Sequence, residues 1–183
     1  MAIEKYTTLS LVLDAYDNGE HDKVYKLFTR DFGMVFAKAT SIRKLESKLR
    51  MHIHVGRIST ITMVKGKEQW RITGGEESKI KSPLLADAAV LIARFVRGEG
   101  SQRKLFDHVY ALLSKEVLDE KIGRLLLYTM ILIDLGYADA EVLGIENIDE
   151  YKGYSVDAML VQVSIHMQVI RRHIKEVLSE LQL

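Results

Sequence analysis

The chain has 183 residues, 48% of them hydrophobic, with 26 Lys and Arg against 25 Asp and Glu and no cysteine. A chain of this length buries roughly 70% of its unfolded surface, and its composition is that of a globular protein rather than a disordered one. The absence of cysteine excludes disulfides, thiolate nucleophiles and cysteine zinc sites, and fits a reducing compartment.

The N-terminus MAIEKYTTLS has no apolar stretch of signal-peptide length. The apolar run over residues 125–133 ends in Asp134, far short of the roughly 20 residues of a membrane span. The expectation is a soluble cytoplasmic protein with no membrane partner.

From the N-terminus to Pro83, segments are short, alternating, and rich in β-branched and aromatic residues. Strands are expected over residues 8–15, 23–29, 33–40, 52–64 and 69–73. The turns between them are YDNGEHD, RDFG and a GK pair at Gly66 and Lys67. Between the third and fourth strands lies SIRKLESKLR, residues 41–50, which reads as a short helix. Ile42, Leu45 and Leu49 fall at i, i+3 and i+7, with Arg43, Lys44, Lys48 and Arg50 around them. A phase change in the fourth strand suggests a bulge at Gly56.

Beyond TGGEESKIKS, a polar hinge, the chain reads as helices. Ser82 and Pro83 carry N-cap and first-turn signals. Helices are expected over 84–96, 105–113 and 119–135, the last closed by Gly136. Residues 137–152 read as a loop or contain a short irregular helix, and a final helix covers 155–181. Its heptad seam of Val156, Leu160, Val163, Met167, Ile170, Ile174, Val177 and Leu181 predicts packing within a bundle, with a dimer seam as the alternative. Val161, Ile165 and Val169 predict a second buried face.

The fold class is therefore α+β: an N-terminal five-stranded OB-fold β-barrel over residues 1–78, then an all-α helical bundle over 79–183. Five strands with a helix between the third and fourth is the OB order, in a fold that commonly binds oligonucleotides; SH3-like barrels read much the same.

Charge divides along the same line. Residues 1–82 hold 15 Lys and Arg against 10 Asp and Glu, net +5, and the remainder is net −4. Over residues 37–81, 11 cations face only Glu46, Glu68, Glu76 and Glu77. Polyanion binding depends on local cations that displace condensed counterions, not on total charge. A charged barrel surface needs no ligand, however, and the first inter-strand loop is acidic. Trp70, Tyr6, Tyr25 and Phe36 are the aromatic candidates in this half, few enough to favour backbone contact over base stacking.

Catalytic motifs are missing. There is no G-x-S-x-G elbow, P-loop, H-E-x-x-H or EF-hand spacing. His52 and His54, two apart on an expected strand, point one way as zinc ligands would, but no third ligand is near. No catalytic residue, metal site or cofactor is assigned, and the protein is not expected to be an enzyme.

Several elements in order carry a family resemblance: Gly19-Glu20 with Asp22; Leu27-Phe28-Thr29 with Gly33; Arg43 with Ser47-Lys48-Leu49-Arg50; and Gly66-Lys67 with Trp70. This half resembles the OB domain of the RecO family of bacterial DNA repair and recombination mediators. KLFDHVYALLSK through LLLYTMILIDLGY, and the tail IRRHIKEVLSELQL, resemble that family's helical domain. The resemblance implies a non-enzymatic protein that binds single- and double-stranded DNA and anneals complementary strands. It also implies help in loading recombinase, with RecR and the C-terminal tail of single-strand-binding protein as partners. By residue match Arg43, Lys48 and Arg50 would contact DNA; Lys38, Lys44, Arg57, Lys65, Lys67 and Arg71 are added on charge and predicted position. Three departures stand out. Thr40 and Ser41 occupy a place where many relatives have a glycine, two residues before the arginine. The cysteine zinc module of some relatives cannot be present. The chain is also shorter around 137–152.

Overall fold

The computed structural model describes residues 4–67, 69–116, 119–139 and 156–180. Five strands, β1 (Lys5–Asn18), β2 (Asp22–Thr29), β3 (Gly33–Ala39), β4 (Ile58–Lys65) and β5 (Trp70–Glu77), close into a barrel in the order β1-β2-β3-β5-β4. Only the β3–β5 pairing is parallel. This is the expected OB-type barrel followed by helices. After β5 come α1 (Leu85–Phe95), α2 (Arg103–Leu113), α3 (Glu120–Asp134), α4 (Val156–Ile165) and α5 (Met167–Glu180).

Successive strand residues face opposite sides of a sheet, which explains adjacent apolar pairs such as Leu11-Val12, Leu27-Phe28 and Met34-Val35. Val12, Leu27 and Val35 fill the barrel with Ile61, Met63 and Ile72. Their neighbours Leu11, Phe28 and Met34 face outward and join Ile58 and the apolar faces of the helices in a second cluster. Phe28 is fully buried there, its ring 5.5 Å from that of Phe106 on α2. One pole of the barrel is filled by aromatics: Tyr6 and Phe32 pack on Trp70 at 5.5 and 5.1 Å between ring centres.

The cation-rich stretch after β3 is not a helix. Bonds from Lys44 N to Ser41 O, Ser47 N to Lys44 O, Arg50 N to Ser47 O and His52 N to Leu49 O make successive three-residue turns, ending in a 3-10 turn at Lys48–Met51. Ile42 is buried under the barrel, whereas Leu45 is 89% exposed. With one strong apolar anchor, ten residues fall short of the roughly 12–15 that a helix needs to sustain itself. Strand β4 also starts later than expected, at Ile58. Residues 52–57 form turns, where Gly56 N donates to Val12 O and Val12 N to Arg57 O. The ladder bulges instead at Val12/Asp14 and Thr62/Met63. Strand β5 runs on through the glycine pair of the expected hinge.

Helix α3 begins at Asp119, whose carboxylate accepts from Ile122 N at 3.0 Å, and ends on Gly136 at φ +74°. There Tyr137 N donates to Leu132 O and Gly136 N to Ile133 O, a Schellman closure. The expected last helix is two, broken at His166. Its seam faces the bundle: Val156, Val163, Ile170 and Ile174 are buried in the shared cluster. The second face expected to be buried is exposed instead, Ile165 by 67%. Most of the loop expected over 137–152, and the final helix's outer ends, lie outside the described residues. Among the described residues no helix is long and apolar enough to cross a membrane.

Candidate nucleic-acid interface

Read round the closed barrel, the register links outward-facing side chains on all five strands. Tyr16 lies opposite Val24, Val24 opposite Lys38, Lys38 beside Arg71, Arg71 opposite Val64 and Val64 opposite Lys5. Residues in register share a face, and neighbouring strands are about 4.8 Å apart. Lys5, Arg71 and Lys38 thus form a row that wraps round the barrel over β1, β4, β5 and β3, with Tyr16 two strands beyond Lys38. One step along β3, Phe36 lies opposite Lys26 on the same face. Phe36 and Tyr16 are 49% and 48% exposed.

The nine cations proposed from the sequence divide by environment. Lys38 pairs with Asp22 at 2.9 Å, Arg43 with Asp17 at 3.2 Å and Arg57 with Glu77 at 3.9 Å. Arg43 also donates to Gly19 O, so its guanidinium ties the 41–50 segment to the first inter-strand loop. Lys65 lies over Trp70, its Nζ 5.6 Å from the ring centre. Lys44, Lys48, Arg50, Lys67 and Arg71 are exposed, and among the described residues none has a carboxylate within 4.0 Å. Of these five, Arg71 belongs to the row and Lys67 to its adjoining hairpin. Arg50 instead lines a separate groove of about 660 Å³ at the barrel's end, with Lys23, Arg43, Tyr25, Ile42 and His54.

Asp22 holds the two regions together. Its Oδ1 accepts from Ser41 N at 2.8 Å while its Oδ2 meets Lys38. The Ser41 amide, then Lys38, hold its carboxyl below the ordinary value of 3.8. A depressed folded-state pKa stabilises the fold above the unfolded value and is lost as pH falls through the folded one. Thermal melts of wild type and Asp22→Asn should therefore differ at neutral pH and converge below about pH 4. A difference that persists unchanged into strong acid would contradict this role. Ser41 itself has φ +55°, a left-handed conformation that favours glycine. It is the position where the family resemblance leads one to expect glycine.

His52 and His54 do not lie on a strand. His54 Nδ1 is 2.7 Å from Glu77 Oε2, and among the described residues no group of three or more His, Cys, Asp or Glu is placed to hold a metal.

Sequence reasoning missed Lys5 and Tyr16, which alternation in a longer β1 would have revealed. It grouped Trp70 and Tyr25 with Phe36, although both are buried; burial pushes the Tyr25 phenol up.

The family profile described as Recombination protein O N terminal matches residues 1–80, the whole of this barrel. Residues 1–80 are thus similar to the N-terminal domain of recombination protein O. Similar proteins include the DNA repair protein RecO of Dehalococcoides mccartyi strain 195, 30% identical over 71 residues, and that of strain CBDB1, 31% identical over 71 residues. Each match covers 39% of this chain and 28% of the relative. The likeness to these RecO proteins thus spans part of each chain, and the row from Lys5 to Tyr16 lies within the residues that the family profile matches.

Proposed function

We propose that this protein binds DNA along the outer face of its RecO barrel and acts in DNA repair and recombination without catalysing a reaction. The observation that carries the reading is the transverse row: Lys5, Arg71 and Lys38 in strand register, flanked by exposed Tyr16 and Phe36. Such a surface attracts phosphates through cations and offers ring faces to unstacked bases. Among the described residues Lys5, Lys67 and Arg71 have no carboxylate partner, while Lys38 is held in place by Asp22. Lys44, Lys48 and Arg50 form a secondary basic segment. Arg43 and Arg57 serve mainly as tethers, and Lys65 as a cap over Trp70. Strand annealing, recombinase loading, and partnership with RecR and the single-strand-binding protein tail extend this reading from the family resemblance.

Fluorescence anisotropy with a labelled single-stranded oligonucleotide should show salt-sensitive binding. If about four phosphates are engaged, the log–log slope is near −3. Replacing Lys5, Lys67 and Arg71 with alanine should bring it to about −1, since each lost phosphate contact removes about 0.7. A slope that instead collapses only when Lys44, Lys48 and Arg50 are replaced would move the interface to the barrel's end. No binding at low salt would favour a protein–protein adaptor, as the pairing of Lys38, Arg43 and Arg57 with carboxylates suggests.

A further inference from the structure

The outer face of β2 and β3 does not end at the barrel. Lys26, opposite Phe36, donates through Nζ to Ala93 O of α1 at 3.3 Å. Met34, two residues before Phe36 on the same side of β3, donates its N–H to Gly98 O in the α1–α2 connection at 3.1 Å. These two bonds bring the last turn of α1 and the residues after it against β2 and against β3, which carries Phe36. That stretch bears Arg94 and Arg97, both exposed, and neither has a carboxylate partner among the described residues. Arg94 and Lys26 line a groove of about 410 Å³ with Leu13, Asp14, Val90 and Ala93. Its one carboxylate, Asp14, accepts a hydrogen bond from Ala15 N and also interacts with the Tyr16 hydroxyl, which pushes that phenol up.

We propose that the junction of barrel and helices is a single-strand subsite, with Phe36 the platform for an unpaired base and Arg94 and Arg97 the contacts for its flanking phosphates. This rests on the outer-face reading above and adds to it a stacking platform and residues from the helical half. An aromatic ring lying on a β-sheet offers its face to a base only when that base is unstacked from its neighbours. Arg94 and Arg97, on the stretch held against β2 and β3, suit the phosphates beside that base. Duplex DNA keeps its bases paired and stacked, so it would touch the row cations and pass over Phe36.

The test compares a single-stranded oligonucleotide with a blunt duplex of the same length, by anisotropy, on the full chain. Phe36→Ala should weaken single-strand binding about 5- to 100-fold, the range for loss of one base–aromatic stack, and leave duplex affinity unchanged. Phe36→Tyr should restore the single-strand affinity. Replacing Arg94 and Arg97 together with alanine should flatten the single-strand salt slope by about 1.4. Far-UV circular dichroism on each variant keeps misfolding apart from lost contact. Wild-type binding that responds to Lys5, Lys67 and Arg71 but not to these changes would overturn the subsite alone. Equal losses on single strand and duplex would overturn the stacking role. Absence of any wild-type binding would overturn both readings.

Discussion

Phe28→Ala is expected to cost about 3–5 kcal/mol of folding stability, the range for deleting a buried aromatic side chain from a packed core. Phe28 points out of the barrel, yet it is fully buried among Leu11, Met34, Ile58, Phe106, Val109 and Leu113. Its ring is the joint through which β2 meets α2. The cavity left by alanine would be bounded by strands on one side and helices on the other, two rigid walls that relax poorly. Urea denaturation offers two independent probes, because the single tryptophan, Trp70, lies in the barrel while circular dichroism at 222 nm reports mainly helices. Both transitions should shift to lower urea, and Phe28→Leu should recover most of the loss. A cost under about 1 kcal/mol would show that the joint does not depend on this ring.

Gly33→Ala should destabilise to a comparable degree for a different reason. Gly33 closes the β2–β3 hairpin with φ +68°, where a residue bearing a Cβ loses roughly 1–2 kcal/mol. Its backbone also lies against the α1–α2 connection, so that an added Cβ would sit 2.0 Å from Gly100 O. That neighbour is backbone and cannot rotate away. Relieving the overlap means displacing residues 98–100, with loss of the bond from Met34 N to Gly98 O. Overpacking of this kind adds about 1–3 kcal/mol, for a total of about 2–5 kcal/mol. Equilibrium unfolding measures it, and Gly98→Ala, at φ +75° but with open space around its Cβ position, is the control that carries only the conformational term. Equal costs at the two positions would refute the close approach.

The two substitutions also show where sequence reasoning stops. RDFG read as a turn because a polar pair, Arg30-Asp31, and a glycine, Gly33, fall together between two strand patterns, and the structure places a three-residue hairpin loop there. Nothing in those four letters indicates that the same glycine is also the contact point for a segment 67 residues later. Leu27-Phe28 breaks strict alternation, and its physical cause is a strand covered on both faces, by barrel interior and by helices.

The basic segment at 41–50 shows the opposite difficulty. Its composition and its position between β3 and β4 were legible, and so was its charge. Its helical spacing was misleading, because local periodicity competes with tethers that come from elsewhere. Asp22 holds the Ser41 amide, and His21 O accepts from Arg43 N. These bonds set the backbone as turns before a helix can propagate. Val161, Ile165 and Val169 likewise read as a buried stripe, yet all three are exposed.

Element types, chain order, the barrel and the split of charge between the two halves follow from local patterns of apolar, turn-forming and ionic residues, which neighbours in sequence are sufficient to establish. Which cations stand free among the described residues, which are held by Asp17, Asp22 or Glu77, and which aromatics face outward depended on strand register and on the docking of α1 against β1, with the end of α1 and the residues after it against β2 and β3. Those are relations between residues tens of positions apart, set by closure of the barrel and by shared burial, and no local pattern encodes them.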